Sequence, residues 1–338
     1  MRNISRFTGF IILLALFSSC AEAKAPRTAF VMGTVCTVNL FDRGSDALYD
    51  EIFARLASIE ATLSANREGT NLAAINAAAG LHPVQAEPDT LIVLGEALSF
   101  AQRTDGALDP AIGPLVKAWN IGTDYAAVPT PEELESARNL VDWHSVIIDR
   151  VNGTVFLAQP GMKLDLGAIA KGYAADEIVR ILQERKIPRA IIDLGGNIIA
   201  YGKKAGGKDW IIGVRDPETS TGEPVISIPV RDASVVTSGI YERFFEADGK
   251  RYHHILDRRT GYPVDNDLLS VTIITRVSMR ADALSTSVFA LGPEKGKALV
   301  EGLPGTGAIF IFKDRHIETA GDAVPPITLL TDRFTLTR

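Results

Sequence analysis

Apolar residues recur along this chain at two spacings. Ile52, Phe53, Leu56, Ile59 and Leu63 lie three or four residues apart, as on one face of a helix, so residues 46 to 63 read as helical. In "FVMGTVCTVNLF" the spacing is two and the residues are largely β-branched, which predicts a strand over residues 29 to 41. Further helical faces fall at about 89 to 103 and at 131 to 140, the second opened by Thr130, Pro131 and Glu133 as a capping box with proline in the first turn. A strand pair near 145 to 158 precedes a helix ending about Arg185, and "RAIIDLGGNIIAYG" and "WIIGVRDP" read as strands with glycine turns. Strands are expected at 225 to 230, 240 to 247, 251 to 256 and 268 to 275, with a hairpin turn at Asp248-Gly249. A helix over 280 to 291, another from Pro293 and three short strands complete the chain. The elements do not alternate as βαβ units and no Pro-, Gly- or Ser-rich linker divides them. The expected class is therefore α+β, with largely antiparallel sheets flanked by helices in two closely packed lobes and a cleft between them.

The helix expected near residue 170 starts unusually. "KLDLGAIAKGYAADEI" brings free backbone N–H groups, Lys171 and two glycines, Gly167 and Gly172, to one helix start, a combination that can hold an anion. The same glycines could equally serve close helix packing, with Lys171 solvated. Four other stretches carry polar residues that a plain core would not need. "GALDPAIGPLVKAWNIG" sets Asp109 on a turn, "SGIYERFF" places Glu242 and Arg243 between aromatics, and "HHILDRRTGYPV" holds His253, His254 and Asp257. In "RADALSTSVFALG", Asp282 and Thr286 are four apart on one helical face. Those two oxygens suit a hard cation such as Mg²⁺, or an N-cap network.

With 338 residues and 46% hydrophobic content, the chain can build a large core. A formal charge of −6 and the lack of basic runs exclude nucleic acid as a partner. The N-terminus, "MRNISRFTGFIILLALFSSC", joins Arg2 and Arg6 to an apolar core from Phe10 to Phe17, well short of the ~20 residues of a membrane helix, and reads as an export signal. Its end resembles a relaxed bacterial lipobox, with residues 1 to 19 as signal peptide, Cys20 as the lipidated residue and 20 to 28 as tether; cleavage near Ala23 as an ordinary secretory signal is the alternative. Loss of Arg2 and Arg6 with the signal takes the charge from −6 to −8. If Cys20 carries lipid, Cys36 is left as a small core residue with no disulfide partner.

Five blocks, "LDLGAIAKGYAADEI", "GALDPAIGPLVKAWNIG", "IDLGGNI", "HHILDRRTGYP" and "DALSTS", together resemble the signature blocks of the ApbE family, Mg²⁺-dependent FAD:protein FMN transferases often found as bacterial lipoproteins. The resemblance runs from about Phe30 to the C-terminus and implies one FAD-binding ApbE-type domain over residues 29 to 338. It implies FAD as donor substrate and transfer of the FMN moiety to a Thr or Ser hydroxyl of an acceptor protein, with release of AMP. It further implies Met32, Asn66, Ala107, Leu108, Asp109, Asp165, Lys171, His254 and Ile255 at the FAD site. The Ala168 carbonyl, Asp282 and Thr286 would be Mg²⁺ ligands, His254 the general base or proton relay, and Lys171 the group that offsets pyrophosphate charge. By the same resemblance the acceptor is a membrane redox subunit of the Na⁺-translocating NADH:quinone reductase or Rnf type. The enzyme would then be lipid-anchored to a bacterial inner membrane, facing the periplasm.

The chain departs from the family pattern at two places. Arg258 replaces a common proline, which is expected to loosen a turn. In "LSANREGTNLAAIN", Asn66 stands where relatives place a tyrosine over the cofactor. Losing an aromatic surface removes ~0.5–1.5 kcal/mol beyond area burial, and opens the site to water. Mg²⁺-dependent FAD pyrophosphatase activity, giving FMN and AMP alone or beside transfer, is therefore the alternative function. A flavin-binding lipoprotein without chemistry is the remaining class, and Asp282 with Thr286 argues against it.

Overall fold

A computed structural model describes residues 25 to 219 and 221 to 337; the signal segment 1 to 19 and Cys20 lie outside them. At the centre is a nine-stranded sheet whose order in space follows the chain: β1 (Arg27–Val31), β2 (Thr34–Leu40), β3 (Ala190–Leu194), β4 (Asn197–Tyr201), β5 (Ala233–Gly239), β6 (Leu268–Thr275), β7 (Gly307–Phe312), β8 (His316–Gly321) and β9 (Thr335–Leu336). Every neighbouring pair is antiparallel except β8 with β9. Between β2 and β3 the chain inserts α1 (Asp46–Leu63), α2 (Asn71–Ala77), α3 (Pro88–Arg103), α4 (Gly113–Trp119), α5 (Pro131–Arg138) and α6 (Ala170–Glu184). The helices α7 (Ser278–Leu291) and α8 (Pro293–Glu301) lie between β6 and β7.

Both faces of this sheet are covered, which explains why its central strands β6 and β7 are buried along almost their whole length instead of alternating. In β7, Ala308, Phe310 and Phe312 point into the helical layer with Ile52, Leu56, Ile178 and Val288, while Ile309 and Ile311 point the other way. That second face meets a three-stranded sheet formed by Trp210–Arg215, Pro224–Val230 and Thr328–Leu329, through Trp210, Ile212, Ile226 and Ile228. A third cluster joins α4 and α5 to residues 245 to 262 through Leu115, Trp119, Leu134 and Leu256, and Trp119 Nε1 donates to the Gly261 carbonyl at 2.7 Å. The cleft runs between this cluster and the main body.

The structure corrects some element boundaries. The strand expected over 29 to 41 is a hairpin, because Met32 and Gly33 take φ of 56° and 69° and turn the chain between β1 and β2. The strand expected over 240 to 247 begins at Phe244, that over 251 to 256 is Lys250–His253, and the strand preceding them is β5, which had not been expected. Four short C-terminal strands occur among the described residues where three were expected. Cys36 is fully buried in the helical-face core, as its small apolar side chain implies.

Candidate active site

The Lys163 segment is a clamped extended strip before it is a helix. Asn76 holds Leu164 at both backbone groups, with Leu164 N–H to Oδ1 at 2.6 Å and Nδ2 to the carbonyl at 3.0 Å. On the other side Asp165 N–H donates to the Pro110 carbonyl at 2.8 Å and Gly113 N–H to the Lys163 carbonyl at 3.1 Å. Residues 163 to 165 are thereby fixed beside the Asp109 turn, and α6 starts only at Ala170.

Neither α6 nor α7 is capped by its own N-cap side chain. Each is capped by the other. Asp176 of α6 accepts from Ser278 N–H at 2.8 Å and Met279 N–H at 2.9 Å, and Asp282 of α7 accepts from Gly172 N–H at 2.9 Å. Burial pushes the Asp176 carboxyl up to about 6, against the pull of the two N–H donors. This exchange requires close approach: a Cβ on Gly172 would lie 2.3 Å from the Ser278 carbonyl oxygen. Gly172 thus serves packing, as one sequence reading allowed, and the N–H group that could have met an anion is already given to Asp282. Lys171 is not merely solvated, since its Nζ lies 3.7 Å from Asp282 Oδ1 and 3.4 Å from the Gly167 carbonyl.

The Gly172–Asp282 bond also bears on a cation. In a regular helix Gly172 N–H would bond the Ala168 carbonyl four residues back. Here Asp282 takes it, and among the described residues no donor hydrogen-bonds to Asp282 Oδ1. Ala168, Asp282 and Thr286 all line one cavity, and Thr286 Oγ1 has only a long 3.5 Å contact to Ser238 Oγ. One carboxylate, one hydroxyl and one carbonyl form a hard oxygen set that fits Mg²⁺. No group of three or more His, Cys, Asp or Glu that could hold a metal occurs among the described residues.

The cavity measures about 620 Å³, within the range of small-molecule sites, and every residue expected at the FAD site lines it. Met32 stands at the rim on the hairpin turn, Asn66 is exposed at the rim after α1, and Ala107, Leu108 and Ile255 form part of the wall. Asp109 is a wall residue whose carboxylate is engaged internally: it accepts from Ala111 N–H at 2.8 Å and Trp143 N–H at 3.3 Å, and burial pushes it up to about 6. Asp165 accepts from Gly167 N–H at 2.8 Å, and its withdrawal from bulk water raises its carboxyl above the ordinary range.

The two histidines divide their roles. His253 is buried, with Nε2 donating to the Val264 carbonyl at 2.9 Å and Nδ1 accepting from Ile255 N–H at 3.3 Å. His254 lines the cavity, and its Nδ1 lies 3.2 Å from the Arg243 carbonyl. A carbonyl only accepts, so Nδ1 carries the proton and Nε2 presents a lone pair. Burial, followed by the charges of Arg243, His253 and Lys171, lowers His254 to about 4, although the Arg243 carbonyl opposes this. Asp257 pairs with Arg259 at 3.1 Å and makes no hydrogen bond to His254 among the described residues.

Several lining residues were quoted in the sequence motifs without a role. Arg243 donates to the Gly33 carbonyl at 3.4 Å, tying the β1–β2 turn to the His254 loop. Arg258 donates to the Asp105 carbonyl at 3.0 Å and lies against Gly106, so it bridges two cavity walls where a looser turn was expected. Gly195 and Gly196, at φ of 64° and 90°, form the β3–β4 turn on the cavity floor, and the glycine pair was the available signal.

Comparison with known proteins identifies the family and the fold. The model of the ApbE family matches residues 32 to 310. A Treponema pallidum protein named FAD:protein FMN transferase is 44% identical over 329 residues, covering 92% of this chain and 91% of that protein. A Klebsiella pneumoniae protein of the same name is 40% identical, covering 86% and 90%. The ApbE protein of Thermotoga maritima superposes with a TM-score of 0.80 at 33% identity, covering 88% of this chain and 96% of that one. The flavin transferase ApbE of Vibrio cholerae gives 0.77 at 29% identity, covering 93% and 99%. With the family model matching most of its length and relatives at 40–44% identity covered nearly end to end, this chain belongs to the ApbE family.

Proposed function

We propose that this enzyme transfers the FMN moiety of FAD to a Thr or Ser hydroxyl of an acceptor protein and releases AMP, with Mg²⁺ held by the Ala168 carbonyl, Asp282 and Thr286. The observation that carries the reading is the convergence on one cavity of a neutral histidine, a lysine and the oxygen-bearing residues Ala168, Asp282 and Thr286. The relatives named FAD:protein FMN transferase support the choice of substrate.

In this scheme the acceptor hydroxyl oxygen attacks the FMN-side phosphorus, its proton passes to His254 Nε2, and the bond from that phosphorus to the bridging oxygen breaks to free AMP. Lys171 faces the pyrophosphate and offsets its charge. A bound Mg²⁺ supplies charge neutralisation at the phosphoryl oxygens. A base at Nε2 is worth ~10²- to 10⁴-fold in such a step. The low affinity of His254 for protons keeps it available as a base in the free enzyme, and an arriving dianionic pyrophosphate raises that affinity when it is needed.

A second reading is favoured by Asn66, which is exposed at the cavity rim and offers no ring to cover the dinucleotide. Water reaching the same phosphorus would yield FMN and AMP, so FAD pyrophosphatase activity accompanies transfer in this proposal. Incubation with FAD, Mg²⁺ and a threonine-bearing acceptor, with AMP, free FMN and acceptor mass measured together, separates the two. A mass increment on the acceptor supports transfer, and FMN released with no increment leaves only hydrolysis.

The setting belongs to the same proposal: export by residues 1 to 19, lipidation at Cys20, an inner-membrane position facing the periplasm, and a membrane redox subunit as acceptor. Cys20→Ser should move the protein out of the detergent phase while its turnover of FAD is retained. Persistence in detergent would remove Cys20 as the anchor.

A further inference from the structure

The outermost strand of the central sheet, β1, ends at the cavity rim. Its two-residue turn makes Val31 and Thr34 a hydrogen-bonded pair, so Arg27, Ala29 and Val31 bond inward to β2 while Thr28 and Phe30 aim their N–H and C=O groups away from the sheet. No hydrogen bond fills these four groups among the described residues. The strand, "RTAFV", has no proline, lysine or bulge to blunt that edge, and Arg27 is turned to Asp46 and Asp50 of α1. On one face the cross-strand pair Phe30 and Val35 is 76% and 57% exposed, an apolar step beside the open edge. Beyond the turn, the Gly33 carbonyl is held by Arg243, whose own carbonyl holds His254. The edge therefore leads to the proposed base.

We propose that the free edge of β1 docks the acceptor protein by strand addition: an extended acceptor segment pairs with Thr28 and Phe30, rests an apolar side chain on Phe30 and Val35, and delivers its hydroxyl past the turn to His254. The inference rests on the transferase reading. A locally extended segment can carry its hydroxyl into this cleft from the end of β1, where Met32, Gly33 and Thr34 line the cavity, and such a segment finds its backbone partners on the open edge. A lipid surface fits less well, because it would cover four backbone polar groups without satisfying them.

Two variants test the docking. Phe30→Pro removes one outward N–H without touching the inward pairs, and Phe30→Glu places a charge on the apolar step. Both are compared with the parent enzyme for FAD affinity, for AMP release without acceptor, and for FMN transfer to the soluble domain of the redox subunit proposed above. The expected result is a KM for acceptor raised about tenfold, with FAD affinity, acceptor-free AMP release and kcat at saturating acceptor unchanged. Amide exchange at Thr28 and Phe30 should slow when that domain is added to parent enzyme. An unchanged KM in both variants overturns the proposal. So does edge protection that appears without acceptor and grows with enzyme concentration, which would assign the edge to a second copy of the chain. A parent enzyme that leaves the acceptor domain unlabelled overturns the transferase reading itself, an outcome visible before any variant is made.

Discussion

Asp282 joins the proposed chemistry to the fold, and two substitutions separate those contributions. Its Oδ2 satisfies the buried Gly172 N–H, and its Oδ1 is the only anionic side-chain oxygen in the proposed Mg²⁺ set. Asp282→Ala leaves Gly172 N–H without an acceptor inside the α6–α7 contact, which costs about 1–3 kcal/mol. At ~2–4 °C per kcal/mol for a chain of this scale or somewhat smaller, the melting temperature should fall by several degrees. Asp282→Asn keeps an amide oxygen for Gly172 and removes only the charge, so its melting temperature should stay close to the parent's. Both should lose FAD turnover by ~10²-fold or more, the scale of removing a preorganised electrostatic group from a site where charge develops. Calorimetric Mg²⁺ titration, thermal unfolding and AMP release measured on the three proteins complete the test. An Asp282→Asn enzyme that releases AMP at the parental rate would remove the metal assignment. An Asp282→Ala protein as stable as the parent would remove the capping argument.

The cavity and the helix junction carry further predictions. His254, lowered to about 4, should keep the acid limb of kcat/KM for FAD transfer near pH 4 in place of 6.5, and a limb at 6.5 would refute the buried neutral base. Between about pH 4 and 6.5 the unfolded chain binds the His254 proton that the folded chain refuses, so stability falls as pH falls through that window; His254→Gln should make unfolding less acid-sensitive there. Asp109 and Asp176, raised to about 6, act with the opposite sign, binding protons in the folded state and favouring it as pH falls from about 6 toward 4. Gly172→Ala should cost about 1–3 kcal/mol by forcing a methyl against the Ser278 carbonyl, measured by denaturant unfolding, and a change below about 0.5 kcal/mol would show that the helices part freely. Asn66→Tyr should cover the cavity rim, slow FAD hydrolysis and retain FAD through purification, and a colourless variant with parental hydrolysis would place Asn66 outside the site.

The parts of this molecule legible in its sequence are those decided by neighbours along the chain. The face of α1, the capping box of α5 and the apolar run of β6 depend on residues a few positions apart, and they fall where periodicity puts them. The β1–β2 break escaped notice because its left-handed turn begins on Met32, a residue that rarely accepts positive φ. The roles of Arg243 and Arg258 escaped for another reason. Each binds a carbonyl on a distant segment, at Gly33 and at Asp105, and nothing local distinguishes such an arginine from a solvated one.

Asp282 shows why an N-cap network and a cation site could not be told apart by reading the chain. A cap is sought within three residues of its helix start, yet Asp282 caps α6 at Gly172, 110 residues earlier, and Asp176 returns the bond to α7. The two readings are also compatible in space. With Oδ2 committed to Gly172, Asp282 cannot swing away from the cavity without breaking a buried hydrogen bond, so Oδ1 stays aimed beside Lys171 whether or not a cation is present. Preorganisation of this kind costs folding energy at Gly172, where only a residue without Cβ permits the approach. It spares the reorganisation that a free carboxylate would undergo when a cation and a pyrophosphate arrive, and electrostatic catalysis draws its advantage from that difference.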